Sequence, residues 1–462
     1  MVSPGRSTAR LVRQLGVTSA TALVVSNMIG TGIFTSSGFL AGDLGDPKLL
    51  LLIWVVGAVC ALFGSFCYSE LGVNYPGSGG EYVYLTEAYG PTWGFMTGWV
   101  SFFAGFSAPI AAAALAFSDY VGFFFPWVKQ ASANFVVGSG TFSLKLGGAQ
   151  LLASGLIGVF TLMNCMNLRL VARIQNALTG TKLVVLLGFI LLAFIAGNGD
   201  WSHFSMITAR TSSKPIAQQF AISLFWIYVS YSGWNAATYV AEEVQQPART
   251  LPLALTIGTT LVALLYVALN VVFIYAAPLA DMKGVLAVGS LTASRLFGPE
   301  IAGVFSVLMA VSLISTVNAM VTIGPRLYYA MAKNGAFFAT AAKVDPKRNT
   351  PTIAILCQGL CAMAMTLTPF PQLVLYIGFL LNFFASMSVA SLFVFRRRPD
   401  WRRLRVVSFA FPLVPAVFLL VGLWMTVYGL TLQPRVAIVA ILTVAAGALL
   451  YRFRLRPAAV RP

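Results

Sequence analysis

Twelve apolar stretches, each long enough to cross a bilayer and parted by short charged gaps, account for nearly all of this chain. They cover roughly residues 17–40, 48–73, 92–127, 148–167, 178–197, 216–241, 252–277, 300–332, 351–369, 372–395, 407–429 and 434–452. A run of about 20 apolar residues is what a helix needs to span the hydrocarbon core. No gap has room for a separate soluble domain. Composition agrees: of 462 residues 58% are hydrophobic and only 9% are charged, with a mean hydropathy of +0.83. A soluble domain carries about 25% charged residues, and with fewer it exposes large apolar patches. A soluble enzyme is excluded.

The net charge of +17 belongs to topology, not to a nucleic-acid surface, because no soluble domain is present to mount a basic face. Of the 30 Lys and Arg residues, 21 fall on one side of the segments and 8 on the other, with Lys182 inside a segment. That asymmetry puts both termini in the cytoplasm, as an even number of spans also requires. The run Arg396–Arg398 with Arg402, Arg403 and Arg405 reads as an anchor to anionic headgroups. Cys60, Cys67, Cys165, Cys357 and Cys361 lie in or beside apolar segments and read as small buried hydrophobes. A single histidine, His203, leaves no His-based metal site or triad, and no cofactor is expected. The basic start followed by a long apolar run reads as a retained first helix, not a signal peptide.

Two segments are interrupted where a lipid-facing helix would not be. The first breaks at Ser26-Asn27-Met28-Ile29-Gly30-Thr31-Gly32-Ile33-Phe34 and the sixth at Tyr231-Ser232-Gly233-Trp234-Asn235. Glycines there free backbone N–H and C=O groups, which membranes tolerate only in a cavity or inside protein. Glycine by itself also serves close helix packing. Paired breaks about 200 residues apart, each opening a five-helix set, point instead to a binding site between two repeats. The division is then a tail at 1–16, a first repeat at 17–197, a second at 216–395, two further helices at 407–452 and a tail at 453–462.

Several strings share one direction: IGTGIF in the first break, CYSELGVNYPGSGGEYVYLTEAYGP from helix two, YSGWNAATYVAEEVQQPARTLPLAL from the second break, and NAMVTIGPRLYYAMAKNGAFF in helix eight followed by TPTIAI. Their order resembles the amino acid–polyamine–organocation superfamily, and within it the L-type amino-acid transporter branch with its bacterial relatives, over residues 17 to about 395. The resemblance implies an all-α, twelve-helix, five-plus-five inverted repeat with alternating access. It implies that the α-carboxylate of an amino acid meets N–H groups of Gly30, Thr31 and Gly32. A half-helix N-terminus suits that anion. The α-ammonium would meet carbonyls of Met28 and Ile29 and of Val229, Ser230 or Ser232, beside Gly233. Asn235 and Asn382 are polar at plausible depth and serve either side-chain selectivity or helix–helix hydrogen bonding. No Asp or Glu lies near either break, which favours neutral substrates. Val229 departs from the branch, whose animal members carry a gating aromatic at that position.

Lys182 sits inside helix five. It either snorkels to headgroups or, as in the family, stands where sodium-coupled relatives hold the ion, bridging helices one and eight. The second alternative predicts sodium-independent transport and makes Lys182 a candidate for a coupling proton. Glu70, Glu81 and Glu87, with Glu242, Glu243 and Arg249, read as contacts that order or gate the cytoplasmic loops. Animal members of the branch are disulfide-linked to a single-span glycoprotein through the loop after helix three. The loop at 128–147 has no cysteine here, so no disulfide-linked ancillary subunit is expected. The reading is thus a sodium-independent exchanger or importer of neutral L-amino acids in a cell membrane, with substrate and membrane lipid as partners. The alternatives are a proton-coupled symporter of cationic amino acids or polyamines, and a non-transporting nutrient sensor.

Overall fold

Proline and capping residues set where the membrane helices begin. In the computed structural model, Pro47 opens helix α3 (Pro47–Asn74) behind Asp46, whose carboxylate accepts the Lys48 N–H at 2.8 Å. A proline costs nothing at the first helical position, where its missing N–H has no partner anyway. Prolines also open α5 (Pro91–Val100), α10 (Pro247–Ala276), α13 (Pro299–Lys333) and α18 (Pro434–Leu450). The structure describes residue 13 and residues 15–77, 79–132, 135–137, 144–166, 168–333, 337–345 and 350–455. Most of the two expected tails therefore lies outside the described residues.

The first span is α1 (Val17–Met28) and α2 (Gly32–Leu44), bent by 42° at the break. After α3 a short helix, α4 (Glu81–Tyr89), precedes the third span. That span is α5, a π-helical stretch at Ser101–Ser107 and α6 (Ala108–Val121). Spans four and five are α7 (Gly148–Met166) and α8 (Leu168–Ala196). Helix α9 (Ile216–Tyr231) runs to the second break and continues as a 3-10 turn, Ala236–Glu243. Two short helices, α11 (Leu279–Met282) and α12 (Val288–Phe297), separate α10 from α13. Then follow α14 (Thr352–Met365), α15 (Phe370–Phe395), the single turn α16 (Arg405–Ser408), α17 (Leu413–Leu432) and α18.

Among the described residues eight helices are long and apolar enough to cross a membrane, or nine with the bent pair α1–α2 as one span. The other three expected segments are present as α8, α9 with its 3-10 turn, and α14. The protein is an all-α, multi-pass membrane protein. Among the described residues the one sheet is a hairpin in the loop after α6, pairing Phe135–Val137 antiparallel with Leu144–Leu146.

Helix α3 packs along α10 and α6 along α13, while α1 lies on α10. The second spans of the two halves thus meet each other, as do the third spans. Ser65 and Thr259, on α3 and α10, share a buried hydrogen bond of 2.8 Å. Of the eight spans that are singly long and apolar enough, α17 and α18 are the least buried.

Candidate functional site: the crossed helix breaks

Each break exists because a glycine lets the two broken helices touch backbone to backbone. A Cβ on Gly32 would lie 2.3 Å from the Ser230 Cα, and one on Gly233, at φ +100°, would lie 2.8 Å from the carbonyl carbon of Asn27. Gly32 of the first span thus fits against the second broken helix, and Gly233 of the second fits against the first. Glycine serves packing and unwinding together here, not one in place of the other. Hydroxyls fasten the crossing: Ser36 and Ser230 Oγ atoms are 3.0 Å apart, and Ser230 also donates to the Trp226 carbonyl.

The unwound segments sort donors from acceptors. Ile29 at φ −74°, ψ 84° forms an inverse γ-turn, which folds the Gly30 N–H back onto the Met28 carbonyl at 2.8 Å. The Thr31 carbonyl takes the Phe34 N–H. Among the described residues, the N–H groups of Thr31, Gly32 and Ile33 have no backbone acceptor. They stand at the positive end of α2. The free donor set is therefore displaced by one residue from Gly30, Thr31 and Gly32.

Acceptors separate in the same way. The Met28 carbonyl takes the Tyr266 hydroxyl at 2.6 Å, and the Ile29 carbonyl takes the Lys182 ammonium at 2.6 Å. Val229 O accepts both the Ser232 N–H at 3.1 Å and the Ser232 hydroxyl at 2.7 Å. The carbonyls of Ser230, Tyr231 and Ser232 accept no backbone N–H among the described residues, at the negative end of α9. An anion-seeking cluster on one helix thus faces a cation-seeking cluster on the other. Val229, Ser232, Gly233, Gly30 and Thr31 are half-buried, so the crossing is not sealed.

Lys182 is 2% exposed. Helix α8 begins at Leu168, about ten residues before the apolar segment read from sequence, because Arg169, Arg173, Gln175 and Asn176 disguise its first turns. Lys182 is therefore not at a helix end, and its ammonium is turned into the protein, not toward headgroups. Its ammonium also reaches Thr316 Oγ1 on α13 at 3.2 Å, so one side chain ties α8 to the first break and to helix eight. Tyr266 reaches the same break from α10, and it closes an aromatic cluster with Trp54 and Tyr231, at ring-centroid separations of 5.5 and 5.2 Å. Tyr266 was not legible as a site residue, since a tyrosine in an apolar span reads as core.

Two further candidates are hydrogen-bonded to groups outside the free donor and acceptor sets. Asn382 donates to the Gly422 carbonyl at 3.0 Å and to Thr426 Oγ1 at 3.1 Å, fastening α15 to α17. It lines a cavity of about 20 Å³ between those helices, α3 and α9, room for about one water. Asn235 donates to Glu81 Oε1 and to the Tyr239 hydroxyl, both at 3.2 Å. Glu81 also accepts the Tyr68 hydroxyl at 2.6 Å, and its burial holds the carboxyl above the ordinary carboxylate range. The loop-ordering reading fits Glu70, which is fully buried and ion-paired with Arg396 at 2.6 Å.

Midway along α2, Phe39 stacks on Trp226 with centroids 4.6 Å apart, and both pack on Phe370 at 6.1 Å. The three rings join the first, sixth and tenth spans above the crossing.

Comparison with known proteins gives the same direction. Large neutral amino acids transporter small subunit 2 of Mus musculus is 29% identical over 97% of this chain and 82% of its own length. Asc-type amino acid transporter 1 of Mus musculus is 29% identical over 95% and 80%. The b(0,+)-type amino acid transporter 1 of the same organism is 28% identical over 92% and 84%. One of these names marks a subunit of a larger assembly. The family described as amino acid permease matches residues 15–446, nearly the whole chain with both breaks, and this protein belongs to that family.

Proposed function

We propose that this chain carries neutral L-amino acids across a cell membrane by alternating access, without sodium, as an exchanger or importer. The observation that carries the reading is the crossing itself. Free N–H groups of Thr31, Gly32 and Ile33 stand opposite free carbonyls of Ser230, Tyr231 and Ser232. A zwitterion has one charge for each set, and half-helix ends suit both. Gly30 and Gly233 supply the bends, while Met28, Ile29 and Val229 carry carbonyls already satisfied from within the protein. Substrate ammonium that reached Ile29 would have to displace Lys182.

Sodium independence rests on Lys182, whose fixed charge occupies the space among helices one, five and eight. The neutral preference rests on the lack of any Asp or Glu within either broken segment; Glu81, which lies beside Asn235, is already bonded by Tyr68 and Asn235. Both termini are assigned to the cytoplasm on the 21-to-8 asymmetry of Lys and Arg. The three-ring plug of Phe39, Trp226 and Phe370 then lies on the outer side and closes it. An accompanying subunit, as one relative's name implies for that protein, would be held without a disulfide at the loop after α6. No cysteine lies between Cys67 and Cys165.

Proteoliposomes loaded with or without unlabelled amino acid, in sodium-free buffer, test this with labelled alanine, serine, leucine and arginine. Uptake of the neutral substrates that sodium does not raise is the expected result. Uptake of arginine alone, driven by an inward proton gradient, would replace the reading with cationic symport.

A further inference from the structure

Between the end of α15 and the start of α17 the chain folds into a basic corner. Arg396 is its fixed point. Its Nε and Nη2 donate to the two oxygens of Glu70 at 2.7 and 2.6 Å, and its guanidinium lies 4.0 Å from the centre of the Phe411 ring. Trp401 Nε1 and the Leu404 N–H complete the four bonds to Glu70, at 2.8 and 3.0 Å. With its carboxylate fully used, Glu70 neutralises Arg396 and nothing else.

Of the described arginines around that point only Arg396 is within ion-pair distance of an acid, although Asp400 lies in the same turn. Among the described residues the ion pairs are Arg396–Glu70 and Arg295–Asp281. Arg398 is spent on the Tyr75 hydroxyl, the Glu87 carbonyl and the face of Phe395. Arg397 and Arg403 are exposed, and Arg403 donates to the Arg396 carbonyl at 3.2 Å. These two, with Arg396, Phe393 and Phe411, enclose an open cavity of about 300 Å³. Phe393 and Phe411 form its apolar wall, their ring centres 5.3 Å apart. Val394, Phe409 and Leu413, next to the lining residues in the chain, are exposed hydrophobics.

We infer that this cavity is a binding site for the headgroup of an anionic phospholipid. Arg397 and Arg403 hold the phosphate, and the Phe393–Phe411 wall and its exposed apolar neighbours receive the start of the acyl chains. Guanidinium groups pair with phosphate by parallel N–H donors, and basic pockets between membrane helices are the usual seat of anionic headgroups. The apolar flank is what a free phosphate ion would not use, and it decides for lipid. Bound there, the lipid fastens α15 to the start of α17 on the side where Glu70 already fastens the chain after α15 to the end of α3.

Native mass spectrometry of the full-length protein in detergent, titrated with dioleoylphosphatidylglycerol or dioleoylphosphatidylcholine, tests the assignment. At about 1 kcal/mol for each arginine, Arg397→Ala with Arg403→Ala should weaken phosphatidylglycerol binding about thirtyfold. The pair Arg402→Ala with Arg405→Ala, of equal charge but outside the cavity, should change it less than about twofold, since it removes no lining group. Arg397→Ala alone breaks no contact described here and should cost about fivefold, which keeps the test open should the double variant misfold. The inference is overturned if the two double variants lose affinity equally, if phosphatidylcholine binds as tightly, or if glycerol phosphate competes as strongly as the lipid.

Discussion

Replacing Gly32 by alanine adds one methyl group where a neighbouring main chain leaves it no room. Its Cβ would stand 2.3 Å from the Ser230 Cα, whereas ordinary contact begins near 3.4 Å. The obstructing atom is backbone, so no rotamer change relieves the clash and α2 and α9 must part by about 1 Å. Overpacking of this kind costs about 1–3 kcal/mol of stability, which a well-packed twelve-span protein survives. Binding suffers in addition. The Gly32 N–H belongs to the free donor set, and a hydrogen bond stretched by about 1 Å passes beyond the range of such bonds. Losing one bond to a charged group is worth about 1.5–3 kcal/mol, so affinity for a bound amino acid should fall roughly tenfold to a hundredfold. Gly188→Ala is the control, because a Cβ there meets nothing within 4 Å; it should bind normally and melt no lower. Isothermal titration of the purified variants with alanine, alongside their melting in detergent, reads both quantities. Wild-type affinity in Gly32→Ala with a lowered melting point would show that the crossing serves packing only, and would refute the carboxylate site.

Lys182→Ala removes the ammonium from the Ile29 carbonyl and from Thr316, and should cut proteoliposome uptake at least about tenfold; a normal rate at pH 6, 7 and 8 would end its assigned role. Asn382→Ala should lower stability by about 0.6–2 kcal/mol, the worth of an interhelical hydrogen bond in a membrane, and leave the preference between alanine and leucine untouched. A changed preference in competition uptake would move Asn382 into the substrate site. Glu81 is held above its ordinary value of 4.5 by burial, against the lowering effect of its bonds from Tyr68 and Asn235. The folded protein thus binds more protons at this position than the unfolded chain, and stability contributed there falls as pH rises above 4.5. Glu81→Gln should flatten that decline in melting curves between pH 4.5 and 8, and parallel curves would contradict it.

Hydropathy made the spans legible because a bilayer enforces one rule on every residue it covers. The breaks were legible because glycine at membrane depth has few uses. Where polar side chains serve a helix outside the bilayer, the same signal failed: α8 starts well before its apolar segment, and α4 is hidden in a turn-rich, tyrosine-rich string. Depth could be read for Asn382, but its azimuth could not. Only the position of Gly422 and Thr426 on a helix 40 residues away decides which way it turns. At the first break the N–H groups without a backbone acceptor start one residue later than Gly30. That offset depends on the ψ angle of Ile29, which no local pattern specifies. Tyr266 shows the remaining gap, since a residue that satisfies a distant carbonyl leaves no mark in its own neighbourhood.

Just before α1, Leu15 pairs with Val244 in a single parallel bridge. The Leu15 N–H donates to the Glu243 carbonyl and the Gln245 N–H to the Leu15 carbonyl, both at 2.9 Å. The chain entering the first half-helix is thereby stitched to the chain leaving the second. If α1 tilts during the cycle, the 3-10 turn after α9 must travel with it, or the stitch must open at a net cost of about 1 kcal/mol for each bond. The two broken helices thus share a clutch where the chain enters one and leaves the other. Engaged, it makes one broken helix report the state of the other; released, it lets each move alone.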